Sequence, residues 1–359
     1  MSRGVFVSDC EGPISKNDNA YELVVEFIPC GESFFGNVSR YDDVLADVFN
    51  RPGYTAGSTL RLILPFLKAF DVSDQQMENF SAGTISLIAD TKVMLKRVGL
   101  VADSFIVSTS YGQYIRALCE SVGFLFKNTY CTLVSLDSIV ITTVERDLLR
   151  LLAREISQMS CITIPLGAKC LDDFSLKDQM LIKRLDEIFW SELPKLSVGK
   201  FFDTVVTIGG EQKAASILEI VGRLGVSFES VMYVGDSITD VEALQLVRER
   251  GGLAVSFNGN GYAVKSADVA VMSGSNLVLA VLADVFFRFG REEVFRLAEL
   301  WSRDVLGSVG VDLGLLCEVF ESNIEPKVQI VTSENIGKIV AESSEFRKRV
   351  RGVAIGRLG

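Results

Sequence analysis

The chain has 359 residues, 48% of them hydrophobic and 23% charged, with 46 acidic against 36 basic side chains, a formal charge of -10 and no histidine. Without imidazole, histidine phosphatases, Ser-His-Asp hydrolases and His-ligated zinc enzymes are excluded. The acidic balance argues against sequence-independent nucleic-acid binding, which needs basic patches to displace counterions.

The length predicts two or three modules with ample apolar material for a large core. The seven cysteines are odd in number, scattered and never in C-x-x-C spacing, so they read as reduced thiols. Few residues precede the apolar run Val5-Phe6-Val7, too few for the basic and apolar regions of a signal peptide. The most apolar stretch, Ala270 to Phe287, is broken by Ser273, Gly274, Ser275, Asn276 and Asp284, so no membrane span is expected. A cytoplasmic location follows as the expectation.

In chain order, short β-type runs ending in small or acidic residues occur at Val5 to Ser8, Phe105 to Ser108, Val231 to Val234, Leu253 to Phe257 and Val269 to Met272. Several precede helical patterns, which predicts an α/β fold with a mainly parallel, Rossmann-like sheet carrying its chemistry at the strand carboxyl ends. Between the first two runs, Tyr41, Val44, Leu45 and Val48, then Leu60, Ile63, Leu64 and Leu67, space as apolar helix faces. Residues 17–97 therefore read as a helical insertion. Residues 131–199 read as a second, α/β insertion, with strands expected at Thr132 to Val134, Ile139 to Val144 and Ile162 to Ile164 and helices near 145–158 and 175–193. The core is then 1–16, 98–130 and 200–290. Residues 291–359 form a helical extension whose basic tail, with Arg347, Lys348, Arg349 and Arg351, is expected to be solvated.

The first strand runs into Ser8-Asp9-Cys10-Glu11-Gly12-Pro13 and the Val231 strand into Gly235-Asp236-Ser237-Ile238-Thr239-Asp240. Each alone reads as a turn or helix cap. As neighbours in a parallel sheet they bring Asp9, Asp236 and Asp240 together, where mutual repulsion calls for a cation, and oxygen-only ligands favour Mg²⁺. Ser108, Thr109 and Ser110 end a strand just before a helix beginning near Tyr111, whose N-terminus favours an anion. Lys213 stands near the start of an amphipathic helix leading back to the Asp236 strand. Asn17-Asp18-Asn19, at the entry to the helical insertion, reads as a helix N-cap.

The order and spacing of Asp9-Cys10-Glu11-Gly12, Ser108, Lys213 and Gly235-Asp236-Ser237-Ile238-Thr239-Asp240 resemble the four motifs of the haloacid dehalogenase (HAD) superfamily of phosphohydrolases. Leu253 to Asn260 and Val264 to Asp268 resemble its closing strands, the helical insertion resembles a C1-type cap, and Leu87 to Phe124 reads much like phosphoserine phosphatase. More loosely, Ser8 to Leu23 resembles archaeal HAD proteins named as a subunit of an energy-converting hydrogenase.

The resemblance implies a Mg²⁺-dependent phosphomonoesterase for a small phosphorylated metabolite. Asp9 is the implied nucleophile and Glu11 the general acid/base, with Ser108, Thr109 and Lys213 at the phosphoryl oxygens. Asp9, the Glu11 backbone carbonyl and Asp236 would hold the metal, and Asp240 would support or join them. The family's phosphatases usually have Asp in place of Glu11, although similar enolase-phosphatases carry Glu there; the Gly-Gly that follows the serine motif in phosphoserine phosphatases is missing. The alternatives are phosphonate or carbon–halogen cleavage, or a subunit of a larger complex with little turnover. The C-terminal region is the candidate surface for a protein partner or homo-oligomer.

Overall fold

Seven strands form one sheet in the order β3-β2-β1-β4-β5-β6-β7 in the computed structural model, which describes residues 3–52, 54–321, 325–353 and 355–357. They are β1 (Gly4–Ser8), β2 (Ala102–Tyr111), β3 (Thr129–Thr132), β4 (Val231–Gly235), β5 (Leu253–Phe257), β6 (Val269–Met272) and β7 (Lys327–Ile330). All neighbours are parallel except β6 and β7. Central strands β1, β4, β5 and β6 are buried along their whole length, which is why they read as unbroken apolar runs: helices cover both faces of a parallel sheet. This is the expected α/β, Rossmann-like architecture.

Seventeen α-helices connect or flank the strands among the described residues. Five lie between β1 and β2: α1 (Asn19–Phe27), α2 (Gly31–Asp43), α3 (Thr59–Ala69), α4 (Asp74–Thr84) and α5 (Thr91–Val101). Then come α6 (Gly112–Val122), α7 (Thr143–Gln158), α8 (Leu176–Glu187), α9 (Lys200–Thr204), α10 (Glu211–Leu224), α11 (Val241–Glu249), α12 (Gly261–Ser266) and α13 (Leu277–Phe289). The last four are α14 (Arg291–Glu299), α15 (Arg303–Ser308), α16 (Leu313–Phe320) and α17 (Ile336–Arg351). None among the described residues is long and apolar enough to cross a membrane.

Four features differ from the sequence reading. The first concerns the second insertion, which joins the first. Leu23, Phe34, Tyr41 and Phe66 of α1–α3 share one apolar cluster with Leu149 and Ile156 of α7, Ile182 of α8 and Phe189. Amphipathic faces from two distant segments cover each other, so neither needs a core of its own. Second, of the strands expected in 131–199 only β3 forms, at the sheet edge and ending at Thr132. Ile139, Ile141 and Ile162 are buried without pairing: β-branched residues suit an apolar interior whether or not a strand partner is near.

The third difference is α5. The helical insertion expected over 17–97 includes its first residues, yet Met94 and Val98 pack with α13 residues against the sheet. The fourth is the C-terminal extension, which is not purely helical and whose basic end is solvated only in part: Arg349 is exposed and Lys348 partly so, whereas Arg347 and Arg351 are buried. β7 extends the sheet antiparallel to β6, and α17 buries Ile339, Ser343, Arg347 and Arg351. The arginines are inside because a buried carboxylate distant in sequence receives them.

Candidate active site

After β1 the chain fills one side of the sheet with β2 and β3, then crosses to the other side with β4. A parallel α/β sheet has its crevice at such a reversal, beyond the strand carboxyl ends. Val7 and Ser8 pair with Tyr233 and Val234, and the Asp9 N–H continues the ladder to the Val234 carbonyl at 2.8 Å. Asp9 and Asp236, one residue past β1 and β4, are thereby held side by side. Asp240 follows in a short 3₁₀ turn, and a carboxylate oxygen from each of the three lies within 4.8 Å of the others.

Lys213, in the first turn of α10, is fully buried and places Nζ 2.7 Å from both Asp9 Oδ2 and Asp240 Oδ1. Asp240 Oδ1 also accepts from the Tyr233 hydroxyl at 2.7 Å, while Oδ2 accepts the N–H groups of Asp236 and Ser237 at 2.9 and 3.0 Å. Asp9 Oδ1 takes the Cys10 N–H at 2.6 Å. The two carboxylates therefore differ. Burial alone would raise Asp240, but Lys213, Tyr233 and the backbone donors hold it below its ordinary value. Asp9 is pushed up to about 7, first by burial and then by Asp240 and Asp236, with Lys213 pulling it back. Lys213 is lowered by burial and raised more by Asp240 and Asp9, so it stays an ammonium.

Glu11 lies two residues beyond Asp9 and turns toward the helical insertion, where Oε1 accepts the Asn19 N–H at 2.6 Å. Burial, then Asp18, raises its carboxyl well above the usual range. Asp18 caps α1 by accepting the Tyr21 N–H at 3.0 Å, as its position before the helix predicts, and it also faces the cavity. Cys10 is buried, and its thiol is driven well up by burial, Glu11 and Asp9, so it stays protonated and is a poor nucleophile.

Ser108 and Thr109 lie near the end of β2, and α6 begins at Gly112 as the sequence predicts. Ser108 Oγ bonds Ser110 Oγ at 3.1 Å. The Thr109 hydroxyl is buried with no hydrogen-bond partner among the described residues. Both line a cavity of about 120 Å³ with Asp9, Glu11 and Asp236 on the sheet side and Phe35, Asp43 and Leu60 on the helical side. The roof is fixed by Asp42, whose Oδ2 accepts from the Gly57 and Thr59 N–H groups and the Thr59 hydroxyl at 2.8–3.2 Å. Gly57, at φ +88°, brings this loop against Thr109 and Thr239, where a Cβ would crowd both methyls.

Three further residues belong to the site. Arg347 and Arg351 both donate to Asp236 Oδ2, the latter at 3.1 Å, and Arg347 also reaches the Asp236 carbonyl at 3.1 Å. Both line the cavity. Their signal was a row at i+4 spacing, Ile339, Ser343, Arg347 and Arg351, on one face of a helix. Tyr233, the third, carries no such signal, because in the sequence it reads as one apolar residue of a strand.

Asp9 and Asp236 fit a hard divalent cation. Both are buried oxygen donors, and Gly12, at φ +115°, lets the Asp9 loop approach Asp236 where a Cβ would overlap its carboxylate. Asp240 is less suited to direct ligation, because both its oxygens already accept strong donors. A cation at Asp236 Oδ2 would meet the two guanidinium groups.

The chain matches no protein-family model and no curated protein sequence. Over 99% of its length it is similar to the gene product AF1437 of Archaeoglobus fulgidus, covering 99% of that chain at 28% identity and a TM-score of 0.81. A substrate-bound phosphoserine phosphatase overlaps 77% of the chain and is itself covered to 95%, at 11% identity and a TM-score of 0.45. A HAD family hydrolase, t0658 of Salmonella enterica serovar Typhi, overlaps 72% and is covered to 63%, at 10% identity and a TM-score of 0.41. The last two likenesses are too loose to carry functional weight; the whole-chain likeness to AF1437 places this fold, extension included, in a second protein.

Proposed function

We propose that the chain is a HAD-type, Mg²⁺-dependent phosphohydrolase acting on a small phosphorylated metabolite. The observation that carries this reading is the Lys213 ammonium bridging Asp9 and Asp240 at the paired ends of β1 and β4, with Asp236 beside them. A buried lysine shared by two carboxylates leaves Asp9 ionisable, oriented and facing a cavity. The small cavity between sheet and helices supports a substrate of few atoms.

In this mechanism the Asp9 carboxylate attacks phosphorus, the bond from phosphorus to the leaving oxygen breaks, and an aspartyl-phosphate forms. Glu11, kept protonated by burial, gives its proton to the departing oxygen and then takes one from the water that cleaves the aspartyl-phosphate. Lys213, the Ser108 and Thr109 hydroxyls and the amides starting α6 would hold the phosphoryl oxygens. Asp9, the Glu11 carbonyl and Asp236 would hold Mg²⁺, which when bound neutralises charge on the phosphoryl group. Asp240 orients Lys213 rather than touching substrate. On this reading α1–α4 and α7–α9 form a cap over the core.

The test is hydrolysis of an aryl phosphate and a panel of phosphorylated metabolites. EDTA-sensitive turnover that Asp9→Asn abolishes is expected; turnover retained by that variant overturns the assignment. The arginines on Asp236 favour one second reading, a binding subunit without turnover. Mg²⁺ binding with no hydrolysis of any panel member would point there.

A further inference from the structure

We propose that the chain carries its own competitor for the cation of this site: Arg347 and Arg351 of α17 hold the Asp236 carboxylate in place of a divalent ion, and metal binding expels them. The inference rests on the reading of Asp236 as a metal ligand and goes beyond it by giving the C-terminal helix a role.

The contacts are specific. Arg347 Nη1 donates to the Asp236 carboxylate and to its carbonyl. Arg351 Nη1 donates to the same carboxylate oxygen, Nε to the Lys16 carbonyl at 3.1 Å and Nη2 to the Asn17 carbonyl. Both side chains are at most 5% exposed. Two guanidinium groups on one buried oxygen supply the positive charge that carboxylates in a crevice require. A divalent ion on that oxygen would stand within a few ångströms of both, out of bulk water, where like charges repel far more strongly than at a surface. Ion and arginines are therefore alternatives.

The two halves of α17 are held differently. Its first half is anchored away from the charge, with Ile339 packed against Val264 and Ala270, and Ser343 donating to the Gly259 carbonyl at 2.7 Å. Only the last turns depend on Asp236. Arg351 also holds the carbonyls of Lys16 and Asn17, at the passage from the Asp9 loop into α1. Expelling it unfastens that passage as well. Because coupling is reciprocal, whatever draws the end of α17 away strengthens cation binding by the same factor.

The test uses the full chain stripped with EDTA and Mg²⁺ alone as probe. Calorimetry compares the unaltered protein with Arg347→Met/Arg351→Met, which keeps much of the buried stem volume, and hydrogen exchange follows the unaltered protein with and without Mg²⁺. We expect the double variant to bind Mg²⁺ at least tenfold more tightly. In the unaltered protein, Mg²⁺ should raise exchange at residues 344–351 and 16–19 but not at 336–342. Equal affinities, or unchanged exchange at saturating Mg²⁺, would overturn the competition while leaving the metal site standing. No Mg²⁺ binding by either protein would overturn both. The exchange measurement needs no variant, so it decides the matter even if the double variant misfolds.

Discussion

Replacing Lys213 by methionine tests the centre of the site. The side chain is fully buried and its Nζ lies 2.7 Å from each of two carboxylates. Methionine fills much of the space but removes the charge. Asp240 would keep the Tyr233 hydroxyl and the N–H groups of Asp236 and Ser237, whereas Asp9 would keep the Cys10 N–H and face two carboxylates. Breaking a buried ion pair from one side costs about 3–5 kcal/mol. The low end is expected here, because Asp240 remains well donated and Asp9 can take up a proton. With a urea slope on the order of 3 kcal/mol/M for a chain of this size, the midpoint should fall by about 1 M at pH 8 in EDTA, and by less at pH 6. Turnover of the aryl phosphate should drop on the order of 10²–10³-fold, the usual effect of losing one donor to developing charge. A variant with an unshifted midpoint and turnover within a few-fold of the parent would refute the bridging role of Lys213.

Other outcomes follow from the same geometry. Glu11→Gln should cut steady-state hydrolysis of alkyl and aryl phosphates alike by about 10²–10⁴-fold, because the aspartyl-phosphate formed from either still needs Glu11 as base. Only the initial burst from an aryl phosphate with a good leaving group should be spared, and the loss of rate that deprotonation of Glu11 causes at high pH should disappear from alkyl phosphate hydrolysis; an unchanged pH–rate profile would sink the acid/base assignment. Stability in EDTA should fall as pH rises from about 4 toward 7, because Asp9, Glu22 and Asp43 are each pushed up to about 7 by burial and the native state holds protons that the unfolded chain has released. Asp240, held low, adds stability above its unfolded value of 3.8 and is silent across that window, and no histidine titrates there. Urea midpoints at pH 5, 6, 7 and 8 check this, and a midpoint climbing from pH 5 to 7 contradicts it. Gly12→Ala combines φ +115° with overlap on a carboxylate that two arginines hold in place, so it should cost about 1–3 kcal/mol in backbone strain alone and abolish Mg²⁺ binding by calorimetry.

What could be read from the sequence was what local periodicity and short spacing encode. Buried parallel strands must be apolar throughout, so β1, β4, β5 and β6 announced themselves, and Asp9 and Asp236 stand just past two of them. The amphipathic face of α10 fixed where Lys213 enters. The pairing of α1–α3 with α7 and α8 was not legible, because an apolar helix face carries no record of which distant face will cover it. Neither was the expulsion of the expected strands at Ile139 and Ile162, where tertiary burial overrode local preference.

The site divides the same way. Its carboxylates and lysine are fixed by position relative to strands and helices, and the absence of histidine removes imidazole as base, nucleophile or metal ligand. Only the folded chain decides that Asp240 is held low by Tyr233 and Lys213 while Asp9 is left easier to protonate, since that depends on donors converging from separate elements. Only the folded chain turns two arginines of a basic tail into buried partners of Asp236. An arginine reads as solvated by default, and a buried carboxylate far away in sequence is what makes it a core residue.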